Sequence, residues 1–405
     1  MAHPTHRAQR GSRRTRRPLA FAAGLTAVVA TALTLSSCAP PASNADVESD
    51  RLSVVATTTQ LADFAAEVGD GDIELHSLMT PGASAHHFDP SPSDLLALAQ
   101  ADVLLVNGVG LESFLDSAIE ASGFQGEIVT ASDGIDLEEA AHVSEDMGGG
   151  AHDHGDTDDH AHEQADEHAD DHDAPASHDD HGGHDHDGHG HDGHDHGPVN
   201  PHIWTSPRQA EGMVAEVARG FAKADSTHAS HYERRADHYI VRLQALDAWA
   251  AAQFARVPAA DRVLVTGHDS LSYYLHDYDI AFAGSILPSF EDNAEPSATE
   301  IDALVARIKQ LGVPAIFVES SMSPKLARTI AREAGARVID ADSLYADALG
   351  PAGSGADTYL DATAHNTRVI LEAWGVDPDP LPKTAMSPAA PAQDAPPAAA
   401  EEPTA

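Results

Sequence analysis

Four short segments of this chain carry side chains whose types suit the binding of a metal ion. In chain order they are Ser84–Pro90 with its paired His86 and His87, Asn200–Trp204 with His202, Val265–Ser270 with His268, and Leu344–Leu349 with Asp347. Three imidazoles and one carboxylate make a complete tetrahedral shell, and both groups are ordinary ligands of zinc. These side chains therefore predict one metal site assembled from four separate segments.

The elements around the segments explain how they could meet. Predicted strands precede the first, third and fourth segments, and the helix starts Ser91-Pro92 and Ser206-Pro207 follow the first two. Loops at the carboxyl ends of parallel strands are where α/β sheets place their ligands. Two segments come from each half of the chain, so we expect the site to lie in a cleft between two lobes.

Short apolar runs alternate with helical patterns along most of the chain. Strands are predicted at Leu52–Thr57, Ile73–Leu78, Asp102–Asn107, Glu127–Ala131, Arg262–Thr266, Asp279–Ala283, Ala315–Glu319 and Arg337–Asp340. Helix N-termini are predicted at Ser91, where an acid follows in the first turn, and at the capping box Ser297–Glu300. This alternation predicts an α/β fold of two lobes with parallel central sheets.

The same patterns predict the domain organisation. Residues 51–224 form an N-terminal α/β lobe and residues 257–376 form a C-terminal α/β lobe. Between them, apolar side chains recur at three- and four-residue steps over residues 225–256, which predicts one long, rigid linking helix. Residues 377–405 are rich in Pro and Ala without periodicity, and are predicted to be a disordered tail.

An insertion at residues 142–197 points to metal handling through its composition. It holds fifteen of the chain's 27 histidines, set among acids, glycine and alanine. Such a tract cannot pack a core, so it is predicted to be disordered and to hold several metal ions loosely, with little selectivity. The net charge of −42 argues against nucleic acid as a partner and favours a cation.

The first 37 residues have the pattern of a secretory signal peptide. Six Arg are followed by the uncharged apolar stretch Leu19–Leu35. The sequence Leu35-Ser36-Ser37-Cys38 resembles a bacterial lipobox, which implies lipidation of Cys38, a tether over residues 38–50 and anchoring on the extracytoplasmic face of the cell membrane. A retained membrane-spanning helix is the alternative, although the apolar stretch is short for one. The single cysteine excludes a disulfide framework and a thiolate metal site.

The four segments also carry a family resemblance. The motifs His86-His87-Phe88-Asp89-Pro90, Asn200–Trp204, Gly267–Ser270 and Leu344–Leu349 resemble those of the solute-binding lipoproteins of bacterial zinc and manganese ABC importers. The resemblance covers about Leu52 to Trp374. It implies His86 rather than His87 as the first ligand, with His202, His268 and Asp347 as the others. It also implies two α/β lobes joined by one long helix.

The resemblance implies a function as well. The chain would be an extracytoplasmic, monomeric receptor that captures Zn²⁺ and delivers it to an ABC permease and its ATPase, without catalysis. The His/Asp-rich insertion is typical of the zinc-binding branch, and manganese-binding relatives more often have Glu where this chain has His268. Mn²⁺ is the alternative ion, in a manganese-specific or less selective receptor of the same fold.

Two other classes of protein stay open, and so does the role of two acids. A zinc-dependent hydrolase would need an open coordination position and a general base, and the sequence has no H-E-x-x-H motif. A metal-buffering adhesin without a transporter is the third interpretation. Glu319 and Asp342 either support the site or are ordinary strand-end acids, and the second interpretation is favoured.

Overall fold

Strands and helices alternate along the chain, and neighbouring strands run parallel. The computed structural model describes residues 51–84, 86, 88–148, 199–287, 296–319 and 324–386, with the backbone alone at 340–343. The first sheet has the order β2-β1-β3-β4 and consists of β1 (Leu52–Ala56), β2 (Ile73–Ser77), β3 (Val103–Val106) and β4 (Glu127–Thr130). Its helices are α1 (Thr59–Gly69), α2 (Pro92–Gln100), α3 (Leu115–Ser122) and α4 (Leu137–Gly148). This sheet is the centre of the first lobe.

Two consecutive helices lead from the first half of the chain to the second. They are α5 (Pro207–Ala224) and α6 (Ala229–Phe254), and α6 has 26 residues. At 1.5 Å per residue it is about 39 Å long. It begins four residues after and ends two residues before the limits predicted for a linking helix, 225–256. Its start is delayed because Asp225 Oδ1 accepts hydrogen bonds from the backbone N–H groups of Thr227 and His228, a local turn that competes with the helix.

The second half repeats the alternation in two pairs of parallel strands. β5 (Val263–Thr266) pairs with β6 (Ala281–Ser285), and β7 (Ala315–Glu319) pairs with β8 (Arg337–Leu344). The helices are α7 (Ser272–Asp277), α8 (Ala298–Leu311), α9 (Pro324–Ala334), α10 (Tyr359–Ala373) and α11 (Lys383–Met386). The two strand pairs share one apolar core, which includes Val265, Ile316 and Val318. They form the second lobe of the fold.

The strands and caps follow from local sequence. Every residue of β3, β5 and β7 is buried, as expected for parallel strands covered on both faces. Ser91 and Asp94 form a capping box at the start of α2, and Ser297 and Glu300 form one at α8. Both predicted helix starts are therefore confirmed.

Helix α6 forms hydrogen bonds with residues far from it in sequence. Arg235 Nη1 donates to the carbonyl oxygen of Gly69 at the end of α1, at 2.9 Å. Nearly four turns further on, Trp249 Nε1 donates to the carbonyl oxygen of Asp379 at 3.0 Å. The helix thus contacts both the first lobe and the chain that follows the second.

Two predicted limits of disordered segments are wrong. Residues 142–148, assigned to the insertion, are the last two turns of α4, where Val143 is buried and the helix packs against α7. Residues 377–386, assigned to the tail, pack on α6 with Leu381 and Ala385 buried. Disorder was predicted from the overall composition of these segments. Composition does not show that single apolar residues, such as Val143 and Leu381, are buried against neighbouring helices.

Several predictions concern residues outside the described ranges. These are the signal peptide over 1–37, the lipidated Cys38, the tether over 38–50, the remainder of the insertion from 149 to 197, and the tail from 387 onward. Within the described residues, no helix is both long and apolar enough to cross a membrane. The lobe limits at residues 224 and 257 stay predictions.

Candidate metal centre

Four side chains from the four predicted segments converge on one point. His86, His202, His268 and Asp347 each offer a ligand atom, and these atoms all lie within 4.8 Å of one another. The Nε2 atom of His202 lies 3.0 Å from that of His86 and 3.2 Å from that of His268. Asp347 Oδ1 lies 3.2 Å from His268 Nε2 and 3.6 Å from His202 Nε2. This arrangement can hold one metal ion between three nitrogens and one oxygen.

Each ligand lies in a loop positioned by regular structure. His86 lies between β2 and α2, and His202 opens a short turn of 3-10 helix, Ile203–Thr205, ahead of α5. His268 follows β5, and Asp347 follows β8. His86 is partly buried, whereas the other three are almost fully buried. Ligands whose side chains are buried and held by packing lose little conformational freedom when a metal binds.

Asn200 orients His202 from behind. Its Oδ1 accepts hydrogen bonds from His202 Nδ1 at 2.7 Å and from the His202 backbone N–H at 3.0 Å. Its Nδ2 donates to the carbonyl oxygen of Asp269 at 2.7 Å, which fixes which end of the amide is the oxygen. Because an amide oxygen only accepts, His202 donates its Nδ1–H to Asn200, and its Nε2 is the nitrogen that faces the site and could bind a metal. Asn200 belongs to the motif Asn200–Trp204, but no feature of the sequence predicted this role for it.

Glu319 orients His268 in the same way, but with a carboxylate. Its Oε2 lies 2.9 Å from His268 Nδ1, and its Oε1 accepts from the backbone N–H groups of Gly267 and His268 at 2.8 and 3.2 Å. Ser270 Oγ donates to Oε2 at 3.2 Å. The interpretation of Glu319 as an ordinary strand-end acid is therefore wrong. A signal was available, since Glu319 ends a strand that is otherwise apolar, where a buried carboxylate needs partners.

The segment that carries His202 is also held by the first lobe. Asn107 Nδ2 donates to the carbonyl oxygen of Pro201 at 3.0 Å. The backbone N–H of Asn107 donates to Glu112 Oε1 at 2.6 Å, and Thr57 Oγ1 donates to the same oxygen at 2.7 Å. Burial raises the pKa of the Glu112 carboxyl, although these hydrogen bonds act in the opposite direction. No feature of the sequence singled out Glu112.

The two innermost charges stabilise each other. Burial by itself lowers the pKa of His268, but the nearby carboxylates of Asp347 and Glu319 raise it well above its ordinary value. Burial raises the pKa of Asp347, but the charges of His268, His202 and His86 outweigh burial and hold that pKa well below its ordinary value. Without metal, His268 therefore keeps a proton to higher pH than a free imidazole, and a metal ion must displace that proton.

The root of the histidine-rich insertion lies beside the site. Ser144 Oγ on α4 accepts a hydrogen bond from the backbone N–H of Asn200 at 2.9 Å. Tyr273 on α7 donates its hydroxyl to the carbonyl oxygen of Asn200 at 2.7 Å. Residues 149–198, between α4 and the segment Asn200–Trp204, lie outside the described residues. His87 and the side chain of Asp342 lie outside what the structure describes.

Comparisons with known proteins agree on one family. A family model described as ZnuA, zinc-uptake complex component A, periplasmic, matches residues 54–373. The manganese-binding lipoprotein MntA of Bacillus subtilis is 27% identical over 352 residues, covering 86% of this chain and 98% of that protein. The iron-binding protein YfeA of Yersinia pestis is 25% identical over 360 residues, with coverages of 88% and 97%. The solved structure of the periplasmic zinc-binding protein TroA from Treponema pallidum matches with a TM-score of 0.62 at 24% identity, covering 80% of this chain and 99% of that one, so the fold is shared.

Proposed function

Because the chain belongs to the family of periplasmic zinc-uptake component A proteins, we propose that it captures Zn²⁺ and delivers it to an ABC permease. Family membership makes it a metal-binding, substrate-binding protein of an ABC importer and not an enzyme. The interpretation as a zinc hydrolase is therefore wrong. The importer receptor also replaces the interpretation as an adhesin without a transporter.

The observation that carries the proposal is the convergence of His86, His202, His268 and Asp347. Four protein ligands complete a tetrahedral shell, which is the geometry zinc prefers, and leave no coordination position for a reacting water. The cargo would be held rather than put to chemical use. We assign these four residues as the ligands, two from the lobe over residues 51–224 and two from the lobe over residues 257–376.

Zinc is proposed over manganese because of the donor set. Relatives of this chain are named for manganese, iron and zinc, so the family alone leaves the ion open. Imidazole nitrogen suits zinc, whereas manganese favours sites richer in carboxylate, carbonyl and water oxygens. The site offers three imidazoles and one carboxylate, and the carboxylate behind His268 contacts Nδ1 rather than the shell.

The proposal includes a place and partners for the receptor. Relatives are named as lipoproteins of metal ABC transporters, and Leu35-Ser36-Ser37-Cys38 supports lipidation of Cys38. The chain would act as a monomer, anchored outside the cell membrane, and deliver its cargo to the permease that the ATPase drives. The insertion would add loosely bound zinc ions without forming the tight site.

Single replacement of the ligands tests the site. The test uses a variant lacking residues 151–197. Each of three further substitutions should lower its affinity for zinc by orders of magnitude, because the shell loses a nitrogen: His86→Ala, His202→Ala and His268→Ala. Asp347→Ala should weaken it less, since water can supply an oxygen. Calorimetric titration with Zn²⁺, and then with Mn²⁺, measures both affinity and selectivity.

His87→Ala is the matched control, since it removes the adjacent imidazole and should leave the affinity for zinc nearly unchanged. If His87→Ala abolishes binding and His86→Ala does not, the first ligand is assigned one residue too early. If the variant without residues 151–197 binds no zinc tightly, the insertion itself is the receptor site. Tighter binding of Mn²⁺ than of Zn²⁺ would reject the proposed cargo.

A further inference from the structure

The loop that carries Asp347 belongs to the second lobe but is hydrogen-bonded to the first. Gln60 Nε2, in the first turn of α1, donates to the carbonyl oxygen of Ala346 at 3.2 Å. Trp204 Nε1 donates to the same oxygen at 2.8 Å. The peptide unit directly before Asp347 is therefore held by two donors from the first lobe.

A third bond fastens the loop just after Asp347. The backbone N–H of Leu349 donates to Thr59 Oγ1 at 2.9 Å, and Thr59 Oγ1 in turn donates to Gln60 Oε1 at 3.1 Å. Thr59 and Gln60 are the first two residues of α1, whose start is capped by the side chain of Thr58. Trp204 lies in the 3-10 turn Ile203–Thr205. We refer to Thr59, Gln60 and Trp204 as the latch.

The latch is buried, so breaking its hydrogen bonds costs more free energy than breaking exposed ones would. Gln60 and Trp204 are each 2% exposed, and Ala346 is 1% exposed. A buried carbonyl oxygen that loses its donors cannot replace them with water. An amide side chain such as that of Gln60 is costly to bury unless its hydrogen bonds are made. An aliphatic side chain would fill the same space without that cost, so packing alone does not explain the choice of residue.

The second lobe holds the other end of the loop. Asn366 on α10 accepts from the backbone N–H of Tyr345 and donates to its carbonyl oxygen, both at 2.9 Å. The loop is therefore bonded to α10 at Tyr345 and to the latch at Ala346 and Leu349. Asp347 lies between these attachments, and the two lobes cannot separate without breaking one of them.

We infer that Gln60, Thr59 and Trp204 are positioning residues that hold Asp347 in the metal shell and thereby set the rate of metal release. Separation of the lobes either breaks the latch, so that Asp347 moves away from His86 and His202, or leaves the latch intact and pulls Asp347 away from His268. In both cases the four ligands no longer surround one point. This inference rests on the proposed function, since it takes Asp347 as a ligand. It adds that retention of the ion depends on residues that do not touch it.

Release of Co²⁺ from the full chain tests the inference. Tetrahedral Co²⁺ absorbs strongly in the visible and six-coordinate Co²⁺ absorbs weakly, so the ordered site can be followed despite the insertion. After addition of excess EDTA, Gln60→Leu should release Co²⁺ about fivefold faster than the unchanged chain, the effect of one net hydrogen bond. Thr59→Val should act in the same direction, which keeps the test decisive if Gln60→Leu does not fold.

Gln253→Leu is the matched control. Gln253 is also a buried glutamine, 4% exposed, but it hydrogen-bonds Asp379 at the far end of α6. This substitution should lower the stability of the protein without changing the rate of Co²⁺ release. Equal acceleration by Gln253→Leu and Gln60→Leu would mean that the rate reports general destabilisation, which overturns the inference.

The Asp347→Ala background separates positioning from support. Asp347→Ala alone should accelerate release, and Gln60→Leu added to it should cause no further change, because the latch acts through the missing carboxylate. The same fivefold acceleration in that background, or none in the unchanged chain, overturns the latch and leaves the metal site intact. If Asp347→Ala itself has no effect on release, the proposed ligand set fails and the latch fails with it.

Discussion

His202 and His268 present the same ring nitrogen to the same point, but what lies behind each ring is different. Behind His202 is the neutral amide oxygen of Asn200, at 2.7 Å. Behind His268 is the carboxylate of Glu319, at 2.9 Å. Both partners fix the ring orientation, yet only the carboxylate places a negative charge beside the imidazole and so raises its basicity.

Because of this difference, the two lobes contribute differently to metal binding. The first lobe supplies His86 and His202, and a neutral amide orients the ring of His202. The second lobe supplies Asp347, His268 and Glu319, which together attract a divalent cation and also attract the proton that competes with it. Affinity for metal and sensitivity to pH should therefore both be changed more by substitutions in the second lobe.

The largest expected effect compares the two supporting residues directly. Glu319→Gln should lower the affinity for zinc about 100-fold, and Asn200→Ala should lower it about tenfold. These are the two ends of the range for groups that hydrogen-bond metal-binding histidines. Glu319→Gln keeps the shape of the side chain, but it removes the charge and turns one accepting oxygen into a donor, although both oxygens of Glu319 accept hydrogen bonds. Its loss therefore combines electrostatics with a lost acceptor. Competition with a zinc chelator, in the variant lacking residues 151–197, measures both affinities. If Asn200→Ala lowers the affinity for zinc more than Glu319→Gln does, the second lobe does not make the larger contribution to binding.

A smaller effect is expected in the pH dependence of binding. Because the pKa of His268 lies well above its ordinary value, the affinity for zinc should keep rising with pH beyond about 6.5, the value of a free imidazole. Glu319→Gln removes one of the two carboxylates that raise this pKa, so its affinity should level off at lower pH. Zinc titrations from about pH 5 to about pH 9 decide the matter. Identical profiles would show that Asp347 alone sets the proton affinity.

The smallest effect is expected in the stability of the metal-free protein. A histidine whose pKa is raised on folding contributes stability below its unfolded pKa of about 6.5, and this contribution is lost as the pH rises through the folded value. Asp347, whose pKa is lowered, contributes above its unfolded pKa of 3.8 and loses this as the pH falls. Urea unfolding should show Glu319→Gln most destabilised near pH 6 and less so in alkali. A difference that grows with pH would contradict the raised pKa of His268.

The four segments that carry the converging side chains could be predicted because each has a local signature, whereas the choice of His86 over His87 came from the family resemblance. A ligand loop follows a strand or precedes a capped helix, and the ends of parallel strands meet at one edge, so position along the chain implies proximity. The groups behind the ligands have no such signature. Glu319 and His268 are 51 residues apart, and only the contact between β5 and β7 brings the carboxylate to the ring.

The same limit applies to the latch and to the tail. Gln60 meets Ala346 across 286 residues, and Trp249 meets Asp379 across 130. Burial of Leu381 depends on a surface of α6 that composition does not describe. Periodicity and motifs therefore predict elements and their ends, whereas contacts between lobes depend on packing that emerges only when the whole chain folds.

The hydrogen bond between Ser144 and Asn200 closes the fold across the insertion, and this has a consequence for how the chain can change in evolution. Once the two ends are joined, the entropy lost in closing a loop grows only with the logarithm of its length, so that doubling the loop costs about 0.6 kcal/mol. For an insertion that is disordered, as its composition predicts, histidines can be gained or lost at little cost to folding. The number of metal donors ahead of His202, the nearest histidine among them being His196, is therefore a quantity that selection can adjust separately from the affinity of the site.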